Sequence, residues 1–387
     1  MALGVPVTVL AVERTAGAGE EDAEEGTRVP KPVVHFLRGA RREAPAGRPA
    51  ERGASRRLLV EVGRDVVGLG FRPRAWGRCV RLALDALRGY RYVPTTARRL
   101  HAHFANDAAA LARYLSILCG VPYAVTAHAY DIYQDPFLIG PNLAAAARVY
   151  TVARANLRFL LSRPEAARWD ERRFAVLRCG IDLTRFPYRD PSPPRRPARL
   201  LCAARLVPKK GHAVLLDAVA SLFASGPEVR LALAGDGPLA ASLHQRAAAA
   251  GVSSAVDFLG TVDSDRVTSL MRDSDLVVLA SRVAEDGDRD GLPVALIEAA
   301  ALGVPVVSTD VSGIPELVSP ETGWLVPPDR PDRLAEAMRA ALEEPHDARE
   351  RRARLARRRV EEEFDLARQI ERLRSDPLFT TEGEKGD

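Results

Sequence analysis

The sequence predicts an α/β protein with two doubly wound domains, each built on a parallel sheet. Its 387 residues exceed one ordinary domain and suit two of α/β size. Runs rich in β-branched residues alternate with helix-like segments, which is typical of parallel sheets with right-handed crossovers. A proline-rich stretch, 187–197, separates this alternation into two series, and we interpret it as an interdomain linker.

The first series contains a long helical region between short strands. We expect helices over 58–90, interrupted near Pro73, and over 107–118. A polar loop is expected around 20–25. An apolar stripe in the helical region, flanked by arginines, predicts a side that faces the core, with membrane contact as the alternative: Trp76, Val80, Leu84 and Leu87. The expected strands are 5–12, 33–37, 101–104, 123–128, 149–152 and 174–178.

The second series starts after the proline-rich stretch. A helix is expected over 211–225, and two charged helices over 332–344 and 348–373. In the last of these, acids and arginines are spaced for i, i+4 pairing on a solvated face. The expected strands are 200–204, 229–234, 256–259, 276–280 and 304–307.

Composition excludes several classes of protein. No apolar run approaches the length that spans a bilayer, and no signal-peptide pattern opens the chain, so we expect a cytoplasmic location. The cysteines lack C-x-x-C spacing, and we expect them to be reduced and mostly buried rather than metal-binding. They are Cys79, Cys119, Cys179 and Cys202.

The charge is unevenly distributed. Residues 1–190 carry a net charge of +11 and residues 191–387 one of −6, and twelve arginines face three acids between Arg52 and Arg99. This excess predicts either attraction to anionic lipid headgroups or phosphate-bearing acceptors, or a merely solvated arginine-rich surface. Nucleic acid fits the sequence less well than these partners, because no aromatic-basic ribbon or recognition-helix pattern accompanies the charge.

The most informative segment is DGLPVALIEAAALGVPVVSTDVSGIPE, residues 290–316. Asp290 and Glu298 stand eight positions apart around Gly291-Leu292-Pro293, which predicts a helix start, since proline costs no hydrogen bond in the first turn. A second helix is expected to begin at 312–316. The positive ends of such helices suit a phosphate.

Several motifs carry a resemblance to a known family. ARLVPKKG at 204–211, GDGP at 235–238, FLG at 258–260 and the segment 290–316 stand in family order. Weaker matches are LHAHFA, TAHAYD and CGID, beginning at 100, 126 and 179. Together they resemble retaining GT-B glycosyltransferases of the group 1 (family-four) type, in the branch that makes bacterial exopolysaccharides such as colanic acid.

The resemblance implies a domain organisation. Two Rossmann-like domains would face each other across a cleft: 1–188 on the acceptor side, a linker at 189–198, and a nucleotide-sugar-binding domain at 199–362. Residues 363–387 would form a C-terminal helix and tail that crosses back to the first domain. The first domain would lack its first βα unit, with 1–4 matching the end of the preceding helix. Either the start is misassigned or a true truncation impairs activity.

The resemblance also implies a phosphate clamp. Breaking a sugar–nucleotide bond leaves negative charge on the diphosphate, which cations and helix N-termini must meet in the absence of a metal. Arg205 and Lys210 match the family's clamp, with Lys209 as the alternative lysine. Further positions match the nucleotide site: Gly235, Asp236, Gly237, Leu259, Gly291, Leu292 and Pro293.

Acids and histidines complete the implied site. Glu298 matches the acid that holds ribose hydroxyls, and Asp290 replaces the glutamate that usually holds the donor sugar. Glu316 either caps its own helix or lies near the nucleotide. His128 matches the histidine beside the donor sugar, with Asp131 to orient it or bind acceptor. Two further histidines either approach the cleft or pack at a strand end: His101 and His103.

The implied function is retaining, metal-independent sugar transfer from a UDP- or GDP-sugar to a polysaccharide, glycolipid or small-molecule acceptor. Displacement would occur on the front face, without a resident cofactor or a covalent nucleophile. Two alternatives remain open. One is a catalytically silent nucleotide-sugar-binding paralogue, suggested by Asp290 and the missing unit. The other is a sugar-nucleotide 2-epimerase, although its pattern of acids and histidines is not found.

Overall fold

The computed structural model describes residues 8–11, 33–36, 49–225 and 228–378. They fall into two compact units. The first contains the described residues up to Ala127, with 135–150 and 163–175; the second contains 128–134, 151–162 and the described residues from Val176 onward. The expected loop at 20–25 and the match at 1–4 lie outside the described residues.

Short parallel strands and four helices form the described part of the first unit. β1 (Thr8–Ala11) pairs with β2 (Val33–Phe36), within the two earliest expected strands. A second sheet has the order β3-β4-β5-β6. Its strands are β3 (Leu100–His103), β4 (Tyr123–Ala127), β5 (Arg148–Thr151) and β6 (Phe174–Val176). The helices are α1 (Ala54–Gly68), α2 (Pro73–Gly89), α3 (Asp107–Cys119) and α4 (Ile139–Ala145).

The apolar stripe predicted for the core faces the other way. Pro73 begins α2 as expected, but Val80, Leu84 and Leu87 are 48%, 47% and 37% exposed. The buried side consists mostly of small residues: Cys79, Leu82, Ala83 and Ala86. This face packs against α1 and α3, which small side chains allow to approach closely. The prediction for this stripe was wrong.

A buried ionic network joins the helices of the first unit. The Arg113 guanidinium, 2% exposed, donates to Asp65 at 2.5 Å and to Glu61 at 2.6 Å. Tyr114 donates its hydroxyl to Asp65, and Asn142 accepts from Arg113 at 3.2 Å. A buried charge is tolerated when its donors are paired in this way.

The second unit is built on a parallel sheet whose six described strands lie in the order β12-β11-β10-β7-β8-β9. The strands are β7 (Ala198–Ala203), β8 (Val229–Ala234), β9 (Val256–Gly260), β10 (Leu276–Leu279), β11 (Val306–Thr309) and β12 (Trp324–Val326). The first five lie where strands were expected. β12, a three-residue edge strand, was missed. The order is that of a dinucleotide-binding fold, with its reversal between β7 and β10.

The described α-helices of the second unit are α5 (Arg154–Leu161), α6 (His212–Ser225), α7 (Ala240–Ala249), α8 (Ser264–Arg272), α9 (Val294–Leu302), α10 (Pro331–Glu343), α11 (His346–Glu363) and α12 (Leu366–Arg374). Of these, α6, α8, α9 and α10 pack against the strands of the sheet. Arg354 pairs with Glu350 at 3.0 Å and Arg357 with Glu361 at 2.7 Å, which confirms the expected i, i+4 pairs. Within the described ranges, no helix has the length and apolarity to cross a bilayer.

The cysteines and the segment 312–316 were both the subject of expectations from the sequence. None of the four cysteines, all within the described ranges, is in a disulfide; Cys79, Cys119 and Cys202 are buried, and Cys179 is half-buried. The helix expected to begin at 312–316 is only a 3-10 turn, Ile314–Glu316. That expectation was wrong because the chain turns at once towards edge strand β12.

The helix expected over 348–373 is divided in two. α11 ends before Phe364, whose fully buried ring anchors the chain in the core. The Phe364 carbonyl accepts from Ile181 N–H, and Leu366 N–H donates to the Ile181 carbonyl. Asp365 then caps α12 by accepting from Ala367 N–H at 3.3 Å. Tertiary pairing with 180–181 therefore overrides the continuous helical pattern.

This junction gives the first testable prediction. Phe364→Ala should lower the free energy of unfolding of the second unit by about 3–5 kcal/mol, because it leaves a cavity in the core. The matched control is Leu355→Ala in α11, where a 41% exposed side chain should cost about 0.5 kcal/mol or less. Urea unfolding in a Trp76→Phe, Trp169→Phe background lets Trp324 report on this unit. Equal losses in the two variants would contradict the assignment.

Candidate functional site

The candidate site lies where the strand order of the second unit reverses. In doubly wound sheets, ligands bind outside the carboxyl ends of the strands at this place, because the two loops there diverge to opposite faces. The loops that follow β7 and β10 span 204–211 and 280–293. They touch at Gly211, where an added Cβ would lie 1.8 Å from the Ala280 carbonyl oxygen. Lys210 and Asp290 are thereby brought into one site.

The loop after β7 carries the predicted phosphate clamp. Arg205 is exposed, and in the described part of the chain no acid lies within ion-pair distance of it. The predicted Gly235 and Gly237 lie against this loop, because an added Cβ would stand 2.1 Å from the Ala204 carbonyl oxygen and 2.6 Å from that of Leu206. These two glycines therefore let the loop after β8 hold the clamp loop in place.

The two lysines have different acidic partners. Lys210 Nζ lies 2.9 Å from Asp290 Oδ2, while Lys209 Nζ lies 3.0 Å from Asp288 and 3.9 Å from Asp290. Ser281 Oγ donates to Asp290 Oδ2 at 3.1 Å. Asp290, 9% exposed, thus has its charge compensated. An incoming anion can compete with this carboxylate for Lys210, since both are oxyanions.

Glu298 is a half-buried carboxylate that forms no ion pair with any residue that the structure describes. It lies in the second turn of α9, and no hydrogen-bond donor reaches it within the described ranges. Burial raises the pKa of Glu298, with only a weaker opposing effect from Arg185. A desolvated carboxylate with free acceptor oxygens can accept hydrogen bonds from two vicinal hydroxyls, as a ribose presents them.

His128 lies at the edge of the same unit. It follows β4, is half-buried, and donates its backbone N–H to Asp131 Oδ1 at 2.8 Å. Asp131 therefore shapes the turn that carries the histidine. Ala129, the next residue, lies 3.6 Å from the position of an added Cβ on Gly291. His128 and Asp290 are thus each next in sequence to a residue at this close approach of the two chain segments.

Glu316 caps a helix, but not its own. Its carboxylate accepts from Arg154 N–H at 3.0 Å and Ala155 N–H at 2.9 Å, at the start of α5. Arg178, with a side chain 3% exposed, lies 2.5 Å from Glu316 and 3.1 Å from Glu363. These bonds occupy both carboxylate oxygens of Glu316 in a structural network.

Other predicted residues have simpler surroundings. Asp236 Oδ1 accepts from Gly237 N–H at 2.7 Å. Pro293 is buried at the N-cap of α9, one residue earlier than a first-turn position, and Leu292 is half-buried. Leu259 is 37% exposed on β9. Their part in nucleotide binding stays a prediction.

His101 and His103 lie on β3, in the first unit. His101 Nε2 is 2.9 Å from Thr126 Oγ1, and its ring is 5.7 Å from that of His103. These contacts fit packing at a strand, one of the two readings that the sequence left open.

Sequence reasoning missed a cluster beside Asp290. Arg289 stacks on Tyr133, with its guanidinium carbon 4.3 Å from the ring centroid. Tyr133 donates its hydroxyl to Asn156 at 3.0 Å, and Gln134 donates to Asp286 at 3.0 Å. These residues come from three separate stretches of sequence, so no local pattern could have joined them.

His212 was also missed. It begins α6, two residues after Lys210, and is 1% exposed. Neither ring nitrogen has a hydrogen-bond partner in the described part of the chain. Burial lowers the pKa of His212 to about 4, so the imidazole is neutral at physiological pH. It therefore adds no charge to the site.

Glu298 gives a prediction about pH. The pKa of Glu298 is higher in the folded protein than in the unfolded chain, where it is about 4.3. The free energy of unfolding therefore falls as the pH rises from the unfolded pKa through the folded pKa. Glu298→Gln should therefore stabilise the protein at pH 7 and change little at pH 4. Thermal unfolding at both values measures this, with the 75% exposed Glu321 changed to Gln as control. Destabilisation by Glu298→Gln at pH 7 would contradict the assignment of an unpaired carboxylate.

Comparisons with known proteins agree on one family. The model for "Glycosyl transferases group 1" matches residues 188–359. The putative colanic acid biosynthesis glycosyltransferase WcaL of Escherichia coli is 34% identical over 292 residues, 73% of this chain and 71% of that protein. WcaL of Salmonella typhimurium is 37% identical over 194 residues, 50% of this chain and 48% of that protein. In that second alignment the chain spans about half the length of its relative.

Solved structures share the fold. A glycosyltransferase from Rickettsia africae has a TM-score of 0.63 at 19% identity and covers 76% of this chain and 78% of its own. Anabaena HepE, in complex with UDP and glucose, has a TM-score of 0.61 at 20% identity, covering 76% and 80%. These likenesses show a two-domain α/β fold of the GT-B class, as the sequence predicted.

Proposed function

Because the chain belongs to the family of glycosyl transferases group 1, we propose that it moves a sugar from a nucleotide-sugar donor to a polysaccharide, glycolipid or small-molecule acceptor. The observation that carries this proposal is the Lys210–Asp290 pair, 2.9 Å apart, at the strand-order reversal. Relatives named for colanic acid and amylovoran biosynthesis support a glycan acceptor. The neighbour bound to UDP and glucose supports a nucleotide-sugar donor.

Lys210 and Arg205 would meet the charge on the leaving diphosphate. The donor's phosphate oxygens compete for the Lys210 ammonium, which frees the Asp290 carboxylate for hydroxyls of the donor sugar. The N-termini of α6 and α9 follow the two loops directly and add their partial positive charge. Cations placed in this way stabilise the departing nucleotide without a metal.

Glu298 would accept hydrogen bonds from the ribose. Its raised pKa reflects desolvation, and two hydroxyl donors would compensate that cost when the nucleotide binds. His128 would approach the donor sugar from the neighbouring turn. We further propose retention of configuration by front-face displacement, in which the leaving phosphate accepts the acceptor's proton. The bond from the anomeric carbon to the phosphate breaks as the bond to the acceptor oxygen forms on the same face.

A donor panel with lysine variants tests this function. Wild-type protein should bind and turn over at least one of the UDP-, GDP- and ADP-sugars in the presence of a lipid-linked glycan acceptor. Lys210→Ala should lower the rate of transfer by on the order of a hundredfold or more, because it removes the cation that stabilises negative charge on the leaving diphosphate. Lys209→Ala is the matched control, since Lys209 pairs chiefly with Asp288, and should cost about tenfold or less.

Other outcomes of this experiment would favour one of the alternative functions or a different lysine. Binding of a nucleotide sugar without turnover would identify a silent paralogue, and interconversion of donors without acceptor would identify an epimerase. Unchanged transfer in Lys210→Ala would refute its place in the clamp. A larger loss in Lys209→Ala would move the role to that lysine.

We also propose that the chain acts from the cytoplasm, in contact with the inner face of the plasma membrane. The exposed side of α2 supports this, because exposed Arg81 and Arg88 lie along one side of the stripe of Val80, Leu84 and Leu87. α1 and the turn after it add further exposed apolar residues: Leu59, Val60, Val67 and Phe71. An apolar face bordered by arginines fits the headgroup region of an anionic leaflet.

Vesicle binding tests this contact. The protein should sediment with vesicles that contain phosphatidylglycerol more strongly than with phosphatidylcholine alone. The double variant Leu84→Ser, Leu87→Ser should weaken that binding by roughly tenfold, because it removes apolar area from the interface. Phe223→Ser, at a 51% exposed position on α6, is the matched control and should bind as wild type. Equal binding to both vesicle types, or unchanged binding by the double variant, would refute the contact.

A further inference from the structure

Arg289 is held in place by contacts that leave most of its donors unused. Its guanidinium carbon lies 4.3 Å from the Tyr133 ring centroid and 5.8 Å from that of Phe159. The two rings are themselves 4.7 Å apart. Its Nε donates to the Gly287 carbonyl at 3.3 Å. Stacking on aromatic faces fixes the plane of the guanidinium.

No acid compensates this charge within the described ranges, although acids surround it in sequence. Asp288 is 3.0 Å from Lys209, Asp290 is 2.9 Å from Lys210, and Asp286 accepts from Gln134 at 3.0 Å. Each neighbouring carboxylate is therefore engaged elsewhere. The terminal nitrogens of Arg289 make a fork that is free to bind an oxyanion with two parallel hydrogen bonds.

A second, buried donor lies beside the same ring. Asn156 is fully buried, and its Oδ1 accepts from the Tyr133 hydroxyl at 3.0 Å. Its Nδ2 has no partner in the described part of the chain. An added Cβ on Gly291 would lie 3.3 Å from this nitrogen, so the glycine keeps the adjacent space open. An unpaired buried amide is costly unless a ligand satisfies it.

The side chains of Arg289 and Asp290 contact different groups, although the two residues are adjacent in sequence. The Asp290 carboxylate meets Lys210 and Ser281, whereas the Arg289 guanidinium meets Tyr133 and Phe159. The diphosphate expected at Lys210 is therefore on the Asp290 side. An anion at Arg289 must come from another part of the substrates.

We propose that Arg289, with Asn156 beside it, forms a second anion subsite that recognises a carboxylate or phosphate of a substrate group other than the donor's diphosphate. This inference rests on the proposed function and narrows its substrate class. The anion is carried either by the donor sugar, as in a uronic acid, or by the acceptor. Acidic glycans and phosphate-linked lipids both present such a group.

Ratios of dissociation constants, each for an anionic ligand against its neutral analogue, test the subsite in the 387-residue chain. The donor arm compares UDP-glucuronate with UDP-glucose, or GDP-mannuronate with GDP-mannose where the wild type binds GDP. The acceptor arm uses nucleotide-saturated protein and compares octyl glucuronide with octyl glucoside, and geranyl diphosphate with geraniol. Wild type should prefer the anionic member in one arm by about tenfold or more, as charge-assisted hydrogen bonds do. The arm that responds identifies the source of the anion.

Three variants test whether the preference for an anionic ligand depends on the Arg289 guanidinium. Arg289→Met keeps a side chain that packs on Tyr133 but removes the charge, and should bring the ratio close to one. Arg289→Lys should restore part of the preference, since it restores the charge without the fork. Arg282→Met removes a guanidinium that already pairs with Asp329 at 2.7 Å, and should keep the wild-type ratio.

Contrary outcomes separate this inference from the proposed function. Normal nucleotide-sugar binding with no preference for an anion in either arm overturns the subsite alone. A preference that survives in Arg289→Met, or that is equally lost in Arg282→Met, also overturns it. A wild-type protein that binds no nucleotide sugar overturns the proposed function and the subsite with it.

Discussion

The reversal of strand order between β7 and β10 is the constraint on which the candidate site depends. Parallel strands force their following loops to the same edge of the sheet, and the reversal sends the two chains to opposite faces. Lys210 and Asp290 are eighty residues apart in sequence, yet this topology brings them within 2.9 Å. Gly211 permits the contact, since a side chain there would collide with Ala280.

Much of the fold follows from local signals. Buried parallel strands are short runs of apolar residues with β-branched side chains, and such runs as Leu276–Leu279 and Val229–Ala234 are recognisable without a structure. The motifs that contain Lys210 and Asp290 could likewise be placed in the loops that follow strands, and the structure places them there. Edge strand β12 was missed because three residues carry too little pattern to distinguish a strand from a loop.

The remaining features depend on tertiary contacts that no local pattern encodes. α2 has two apolar faces, and only packing decides that the small residues around Cys79 and Ala83 turn inward. The predicted helix over 348–373 breaks because Phe364 and Asp365 meet residues 180–181. The Arg289 cluster joins Tyr133 and Asn156 to the loop after β10, which lies more than a hundred residues further along the sequence.

Two side chains assigned to ligand binding, Glu298 and Arg289, differ from the buried arginines in their charge compensation. Arg113 and Arg178 are almost fully buried, and each has carboxylates within 3.1 Å. Glu298 and Arg289 are half-buried, and within the described ranges neither has an oppositely charged side chain at ion-pair distance. An uncompensated charge lowers stability, and it is retained where a ligand supplies the missing partner. A ribose can supply hydroxyl donors to Glu298, and a substrate oxyanion can supply the acceptor that Arg289 lacks. Ligands of these kinds would offset the desolvation free energy of both charged groups.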